Sequence, residues 1–541
     1  MILSARTKVL WAVVVLAIVV LILGLWLSPW LLLIEIVFVP LVLLGLWDYT
    51  QPRHSILRNY PIIGHMRFLL EDAGPELHQY LVESDESGRP FNRDSRSLIY
   101  ERAKSVQDKK PFGTELDVYA DGYTWISHSM ATKPELKDPQ KELRVTIGGP
   151  DCKQPYSSSV LNISAMSFGA LSGAAIRAMN TGAKLGGFAH DTGEGGLSIH
   201  HREPGGDIIW QLGTGYFGCR TPDGEFDPDA FVKFSHLPQV KMIEIKVSQG
   251  AKPGHGGILP GPKVSKEIAE ARLVPEGEDC FSPTYHKAFS NPLEMTAFIA
   301  ELRELSGGKP IGFKLCVGHP SEFMGVVKAM LETDTYPDFI VVDGGEGGTG
   351  AAPLEFSDSL GMPLLEGLML VQNTLVGAGI RDRIKIGASG KMVNSAAMAR
   401  AMALGADWCN TARAFMFSVG CIQSQRCHTN KCPVGVATQN TKLQRAIDVP
   451  DKAQRVHQYH QNTVGGLAEM IAALGLEHTS ELRPEYVIKR VNQFEALTYE
   501  EIYHTAEFDS EAFLSGSAPE RFQRFWDLAT SSSFHLPATV G

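Results

Sequence analysis

Residues 384–413 read IKIGASGKMVNSAAMARAMALGADWCNTAR. Two short apolar runs, residues 384–388 and 407–411, flank an alanine-rich stretch at 394–404 in which methionines recur four residues apart. Apolar runs of strand length that alternate with helical stretches are typical of parallel strands joined by crossover helices. The stretch therefore predicts one β-α-β unit, with the methionines in the packed core.

The same rhythm extends back to residue 161. Eight runs are strand-like: residues 161–165, 187–190, 207–211, 242–247, 311–316, 339–342, 384–388 and 407–411. Helical stretches lie between most of them: residues 172–185, 227–236, 292–305, 321–331, 365–375 and 394–404. Eight such units predict an α/β fold, a (β/α)8 TIM barrel. A doubly wound open sheet is the alternative, but no G-x-G-x-x-G turn follows the first run.

Three of the eight cysteines follow the last strand-like run, in residues 420–440, GCIQSQRCHTNKCPVGVATQN. Cys421, Cys427 and Cys432 have the spacing C-x5-C-x4-C-P, which is compatible with thiolate ligation of an iron–sulfur cluster. Three ligands without an evident fourth favour a three-iron cluster. A zinc site would show paired C-x2–4-C motifs, which are absent. The remaining alternative is three unrelated buried cysteines.

Glycine-rich segments occur where the predicted strands end, at residues 191–196, 249–254, 344–350 and 388–391. In a (β/α)8 barrel, binding and catalytic groups lie at the carboxyl ends of the strands. Backbone N–H groups of glycine-rich loops after the late strands suit a phosphate. These loops therefore predict a phosphate-bearing cofactor at the mouth of the barrel.

The N-terminus is apolar in two runs, residues 9–27 and 30–47, separated by Ser28 and Pro29. Each is close to the roughly 20 residues that a helix needs to cross a bilayer. Positive charge flanks both runs, at Arg6, Lys8, Arg53 and Arg58. The positive-inside rule then predicts a two-pass hairpin in the cytoplasmic (inner) membrane, with the catalytic body facing the cytoplasm. A cleaved signal peptide is the alternative, but the run is too long and no small-residue cleavage site follows.

The chain is thus expected to contain four parts: a transmembrane hairpin (1–50), a linker or cap region (51–158), the barrel with its cysteine loop (159–440) and a short helical C-terminal extension (441–541). In the last part, residues 467–476 and 485–494 are apolar-faced segments. The net charge of −10 and the lack of a basic block exclude nucleic acid as an expected partner.

Five motifs together resemble the flavin domain of glutamate synthase. They are MSFGALS (166–172), TGEGG (192–196), QGAKPG-x-GG-x-LPG (249–261), GGEGGTGAAP (344–353) and CIQSQRCHTNKCPVG (421–435). The resemblance covers roughly residues 159–440. It implies a (β/α)8 barrel that binds FMN and a 3Fe-4S cluster and reduces 2-iminoglutarate to glutamate.

The resemblance also assigns substrate-binding and catalytic roles. Lys252 and Gln249 match groups that hold 2-oxoglutarate, and Arg272 matches an arginine that pairs with a substrate carboxylate. Met166 lines the same pocket. Glu194 matches an acid near the reacting carbon, so Glu194 and Lys252 are the predicted catalytic residues.

Cofactor contacts follow in the same way. The cluster ligands are predicted to be Cys421, Cys427 and Cys432. The FMN contacts are predicted at Ser167, Gln211, Lys314, Gly345, Gly348, Ser389, Gly390 and Thr411. Within this set, Lys314 matches a lysine beside the pyrimidine edge of the flavin.

Two departures from the family limit this reading. Nothing before residue 159 resembles the glutamine-hydrolysing amidotransferase domain, and no β-helix repeat follows the barrel, so we expect no glutaminase activity from this chain. The nitrogen source is left open. The electron donor is also left open, with ferredoxin and a membrane redox partner as candidates. The sequence does not decide whether the protein is a homo-oligomer. Alternatives to glutamate formation are an oxidoreductase for another 2-oxo acid or amine, and a membrane-tethered redox relay.

Overall fold

The computed structural model describes residues 7–535, and the chain divides into two units, Met1–Arg93 and Asp94–Gly541. In the first unit, Lys8–Trp26 and Pro29–Thr50 are long and apolar enough to cross a membrane, with mean hydropathies of 3.0 and 2.4. The second begins with the 3-10 turn Pro29–Ile34 and continues as the α-helix Glu35–Thr50. The helices Ser55–Asn59 and Gly64–Leu77 and the π-helical turn His78–Val82 follow. Arg6, one of the flanking cations, lies outside the described residues.

Eight parallel strands form a closed barrel in the second unit. They are β1 (Leu161–Ile163), β2 (His190–Asp191), β3 (Ile208–Leu212), β4 (Val240–Lys246), β5 (Ile311–Leu315), β6 (Phe339–Asp343), β7 (Lys385–Ser389) and β8 (Trp408–Thr411). Each strand pairs with the next, and β8 closes the barrel on β1, with Cys409 opposite Leu161. The predicted (β/α)8 barrel is confirmed, and each of the eight strand-like runs overlaps one barrel strand.

Burial on both faces explains why most positions of the strands are apolar. Every residue of β3 and of β6 is buried, as expected for parallel strands covered outside by helices and filled inside by side chains. The second strand is only two residues long, and its predicted run at 187–190 begins three residues too early.

Crossover helices surround the barrel. They are Gly173–Gly186, Pro228–Ser235, Pro292–Leu305, Pro320–Thr333, Leu364–Gly377 and Ser395–Ala403, joined by the shorter Ile199–Arg202, Leu354–Ser359 and Arg413–Ser418. Several begin at a side-chain cap: Ser172, Asp227, Asn291 and Asn394 each accept a hydrogen bond from an N–H in the first turn. Such caps satisfy N–H groups that a helix start leaves unpaired.

The 25-residue helix Val449–Ala473 packs against Gly173–Gly186. The two helices approach closely at Gly182, where a Cβ would lie 2.5 Å from Val456 Cγ1. His460 Nε2 lies 2.9 Å from Ser159 Oγ and 3.0 Å from the carbonyl oxygen of Leu161. This helix therefore occupies the place of the eighth barrel helix, although it lies in the segment predicted as a C-terminal extension.

Three small sheets lie outside the barrel. Arg144–Ile147 pairs with Tyr156–Ser159, and Gly257–Leu259 pairs with Cys280–Ser282 in an insertion after β4 that also holds the helix Lys266–Arg272. The third sheet joins Thr124–Ile126, Val487–Arg490 and Ala496–Thr498. The segment 485–494 was predicted within a helical tail, but the structure shows a strand in its central part. This strand forms because it pairs with Thr124–Ile126, which lies far earlier in the chain. The remaining helices are Arg93–Lys104, Pro139–Glu142, Thr441–Gln444, Tyr499–Tyr503, Ala512–Ser515 and Glu520–Leu528.

Candidate active site at the mouth of the barrel

A buried ring of four charged side chains and one glutamine lies inside the carboxyl end of the barrel. Lys314 Nζ, on β5, is 3.6 Å from Asp343 Oδ2 on β6. Gln211 Nε2 donates to Glu244 Oε1 at 2.6 Å, joining β3 to β4. Asp191, on β2, completes the ring and accepts a hydrogen bond from the N–H of Gly193 at 2.9 Å. All five ring side chains are buried.

The ring holds its charge through mutual attraction. Burial alone would lower the pKa of Lys314, but the carboxylates of Asp343, Glu244 and Asp191 outweigh it and raise the pKa. Burial and the neighbouring Glu244 raise the pKa of Asp191, and burial also raises the pKa of Glu244. At neutral pH Lys314 is therefore a cation, and the carboxyls of Asp191 and Glu244 take up a proton more readily than free carboxyls do.

Glu194, Lys246 and Lys252 lie together in a narrow adjoining cleft of about 20 Å³, which opens to solvent. Lys246 Nζ is 3.0 Å from Glu194 Oε1. A Cβ at Gly257 would lie 3.7 Å from Glu194 Oε1 and 3.8 Å from Lys252 Nζ, so both predicted catalytic groups face one point. The cleft thus gathers one acid and two amines around a space that holds about one water molecule, so a larger ligand would need its side chains to move apart.

The charges of this cleft act on one another. Burial alone would raise the pKa of Glu194, but the cations Lys246, Lys252 and Arg272 together lower it. Burial lowers the pKa of Lys252, against the attraction of Glu194. At neutral pH Glu194 is therefore a carboxylate, which suits it to hold a cationic group of a substrate.

The other predicted substrate-binding residues surround this cleft. Gln249 lines the cleft, and its Nε2 donates to Thr349 Oγ1 at 3.4 Å. Arg272 is buried beside it: Nη2 donates to the Phe168 carbonyl at 3.1 Å, and Nε has no partner within residues 7–535. Met166 is buried in the loop after β1.

The loops after β1 and β2 pack directly on each other. A Cβ at Gly195 would lie 2.8 Å from Ser167 Cβ, and one at Gly193 would lie 2.7 Å from the Ser167 nitrogen. Gly193 also has a φ of +64°, which favours glycine. Ser167, a predicted FMN contact, is therefore fixed by the loop that carries Glu194.

The ends of β7 and β8 and the loops after β6 and β7 hold the remaining predicted FMN contacts. The N–H of Gly345 donates to the Met362 carbonyl at 2.8 Å, so the loop itself uses that donor. A Cβ at Gly348 would lie 2.9 Å from Arg413 Nε. The same end of the barrel holds Ser389, Gly390 and Thr411. Ser389 Oγ is 3.3 Å from Ser164 Oγ, and a Cβ at Gly390 would be 3.3 Å from Leu364 Cδ2. Thr411 Oγ1 donates to the Met392 carbonyl at 2.5 Å.

The cysteine loop is tied to the barrel mouth. Gln439 Nε2 donates to the carbonyls of Gly169 and Leu171 at 3.0 and 2.9 Å, and Tyr100 OH donates to the Cys421 carbonyl at 2.5 Å. Lys263 Nζ lies 3.4 Å from the Cys427 carbonyl oxygen. The loop is thus held from three sides.

The three thiols are close enough to affect one another. Burial, with a smaller contribution from the neighbouring Cys427 and Cys432, raises the pKa of Cys421 to about 12. Between residues 7 and 535, no group of three or more His, Cys, Asp or Glu side chains is placed to hold a single metal ion.

Several site residues were missed in the sequence. They are Asp191, Glu244, Lys246, Asp343 and Arg413. A charged residue inside an otherwise apolar strand was the available signal: β4 reads VKMIEIK and β6 ends in Asp343. Arg413 follows β8, and its Nη2 donates to the Glu346 carbonyl at 2.8 Å.

Residues 115–477 match the family model described as a conserved region in glutamate synthase. The chain belongs to the glutamate synthase family. It is an oxidoreductase of the class that acts on CH–NH2 groups.

Among relatives within the glutamate synthase family, the glutamate synthase large subunit-like protein YerD of Bacillus subtilis is 38% identical, and the match covers 87% of this chain and 97% of YerD. An archaeal glutamate synthase (NADPH) of Methanocaldococcus jannaschii is 35% identical over 59% of this chain. This chain spans about 60% of the length of that archaeal relative. A glutamate synthase large subunit-like protein of Rhizobium meliloti is 28% identical over 71% of this chain and 87% of its own length.

Proposed function

We propose that this protein is an FMN- and iron–sulfur-dependent oxidoreductase that reduces 2-iminoglutarate, formed from 2-oxoglutarate and ammonia, to glutamate. The observation that carries the proposal is the cleft in which Glu194 and Lys252 face one point beside the buried Lys314. A dicarboxylate with a cationic nitrogen needs both signs of charge at its binding site, and this cleft supplies them.

The substrate would be held by its two ends. Lys252 and Gln249 would bind one carboxylate, while Arg272 would pair with the other and Met166 would cover the carbon chain. The reduction adds a hydride equivalent to the iminium carbon. Glu194, kept ionised by Lys246, would hold the iminium nitrogen and orient the C=N bond for attack.

The barrel mouth also suits FMN. Lys314 would place its charge beside the flavin ring, and the loops that carry Gly348 and Gly390, with Arg413, would hold the phosphate. Ser167, Gln211, Gly345, Ser389 and Thr411 would line the remainder of the site. When bound, FMN supplies hydride transfer and accepts electrons singly.

A 3Fe-4S cluster is proposed at Cys421, Cys427 and Cys432. Ligands of a multi-iron cluster bind separate iron atoms, so their sulfurs need not converge as the ligands of one ion do. The mutual effect of the three thiols on their pKa values supports their proximity. Gln439, which ties this loop to the loop after β1, would keep the cluster at a fixed place relative to the flavin site.

A binding experiment tests the substrate assignment. In the detergent-solubilised full chain, Lys252→Ala should abolish 2-oxoglutarate binding and leave the yellow FMN content unchanged, because Lys252 lines the cleft and not the phosphate loops. Lys184→Ala, at an exposed helix position, is the matched control. Loss of FMN in Lys252→Ala, or unchanged 2-oxoglutarate binding, would refute the assignment. A panel of 2-oxo acids with ammonium and methylamine separates glutamate formation from amination of another acid.

We also propose that the helices Lys8–Trp26 and Pro29–Thr50 form a two-pass anchor in the cytoplasmic membrane. Their length and hydropathy support this placement. A membrane-impermeant thiol reagent added to intact cells should then fail to label a cysteine introduced at Ser55, which follows the second helix on the cytoplasmic side. Labelling at that position would contradict the proposed orientation.

A further inference from the structure

The segment that follows the second apolar helix, Glu35–Thr50, turns back beside that helix. Asp48 is fully buried, and its Oδ2 accepts the N–H of Ile62 at 2.9 Å. His65 Nε2 lies 2.9 Å from Asp48 Oδ1. A Cβ at Gly45 would lie 3.0 Å from Ile62 Cδ1. Ile62 is therefore level with Gly45, which precedes the end of the helix by five positions, or about 7.5 Å along the helix axis.

The helix Gly64–Leu77, which begins at this level, has one apolar side. Its side chains recur at the three- and four-residue spacing of a single helix face. They form what we call the apolar face: Met66, Leu69, Leu70, Ala73 and Leu77. All five are exposed, with Met66 at 62% and Leu69 at 70%. Large apolar side chains that are exposed together on one face mark a surface that another apolar phase covers.

The remaining sides of this helix are polar. Arg67 Nε lies 2.6 Å from Glu71 Oε1, and Asp72 and Glu76 add two further carboxylates. One arginine against three carboxylates leaves the polar sides with negative charge. Attraction to anionic lipid therefore cannot hold the helix at a membrane, and apolar contact is the available source of affinity.

We propose that Gly64–Leu77 lies on the bilayer surface, with its apolar face among the lipid acyl chains beside the two-pass anchor. The inference rests on the proposed anchor and adds to it a third element, which lies along the membrane. Lipid is the occupant because the contacts of Asp48 and Gly45 hold the start of the helix beside the apolar part of the second span. A helix held in this way would fix the direction in which the chain leaves the membrane.

Photochemical cross-linking to lipid tests this in the full chain, reconstituted into phosphatidylcholine vesicles. p-Benzoylphenylalanine, which reacts with nearby C–H bonds on irradiation, replaces one residue at a time, and mass spectrometry identifies the adducts. The test positions are Met66 and Leu69, and the matched control is Glu71, on the polar side of the same helix. Leu43, an exposed position in Glu35–Thr50, reports on the anchor.

The lipid-adduct yield at Met66 and Leu69 should approach that at Leu43 and exceed that at Glu71 by about fivefold or more, because only the apolar face meets acyl chains. Vesicles that also contain phosphatidylglycerol should give the same yields, since the negative polar sides gain nothing from anionic lipid.

The contrary results are distinct. Lipid adducts at Leu43 without adducts at Met66 and Leu69, or equal yields at these two positions and at Glu71, would overturn the inference. Adducts with protein in place of lipid would also overturn it, because another part of this chain or a second copy would then cover the apolar face. So would a yield that rises with phosphatidylglycerol. Absence of lipid adducts at Leu43 would instead refute the proposed anchor itself.

Discussion

The contact between Val449–Ala473 and Gly173–Gly186 gives a sharp test of how the barrel is closed. A Cβ at Gly182 would lie 2.5 Å from Val456 Cγ1 and 2.7 Å from the carbonyl oxygen of Ala453. The Cγ1 methyl can turn aside, but Val456 Cβ, at 2.6 Å, and the backbone carbonyl cannot move without shifting their helix. Gly182→Ala should therefore incur most of the roughly 1–3 kcal/mol that overpacking costs.

Helix propensity acts in the opposite direction, because alanine is favoured over glycine by about 1 kcal/mol in a helix interior. The net expectation for Gly182→Ala is a destabilisation of about 1–2 kcal/mol. Gly465→Ala, in the partner helix, is the matched control, since a Cβ there meets nothing within 4 Å. That variant should stabilise the protein by about 1 kcal/mol.

The assay is urea unfolding of the detergent-solubilised protein, followed by tryptophan fluorescence. The two variants should move the midpoint in opposite directions, with unchanged slope. A Gly182→Ala midpoint at or above that of the wild type would show that the helices do not approach as described. Equal shifts in both variants would show that propensity alone governs them.

Three further perturbations address the site. Lys314→Met leaves the buried carboxylates around it without a cation and should cost about 3–5 kcal/mol in urea unfolding; a loss below 1 kcal/mol would mean that they are already protonated. His286 Nε2 lies 2.8 Å from the carbonyl oxygen of Lys246, and burial lowers the pKa of His286 from 6.5 to about 4. The unfolded chain therefore takes up this proton first, and stability falls as the pH drops from 6.5 towards 4, by about 1.4 kcal/mol per pH unit. His286→Gln should flatten that part of a pH–stability curve, and an unchanged slope would show that His286 is not the group that titrates. Gly348→Ala places a Cβ 2.9 Å from Arg413 Nε and should weaken FMN binding more than riboflavin binding, measured by fluorescence quenching, whereas equal losses would remove Arg413 from the phosphate site.

The barrel could be predicted because its determinants are local. The parallel strands are buried on both faces, so most of them appear in the sequence as largely apolar runs, such as FIVV at the start of β6. The helix Pro292–Leu305 was predicted with its observed bounds, since Asn291 caps it and Pro292 opens it. The strand Val487–Arg490 could not be predicted, because pairing with Thr124–Ile126 overrides local preference.

The site was only partly predictable for a similar reason. The glycine-rich loops that can be recognised in the sequence carry Glu194, Gln249 and Lys252. The structure brings these three residues to one cleft. Lys246 and Glu244 are single charged residues within an apolar strand. Their role becomes evident only when the barrel closes and places them opposite groups from distant strands.

The late position of Val449–Ala473 in the chain has a consequence for biosynthesis. The apolar face of Gly173–Gly186 emerges from the ribosome long before the helix that covers it. At roughly 5–20 residues per second, that interval is on the order of tens of seconds. During this time the nascent chain exposes this apolar helix face to solvent. A chaperone that binds the face, or a slow codon placed after residue 473, would therefore influence the yield of active protein.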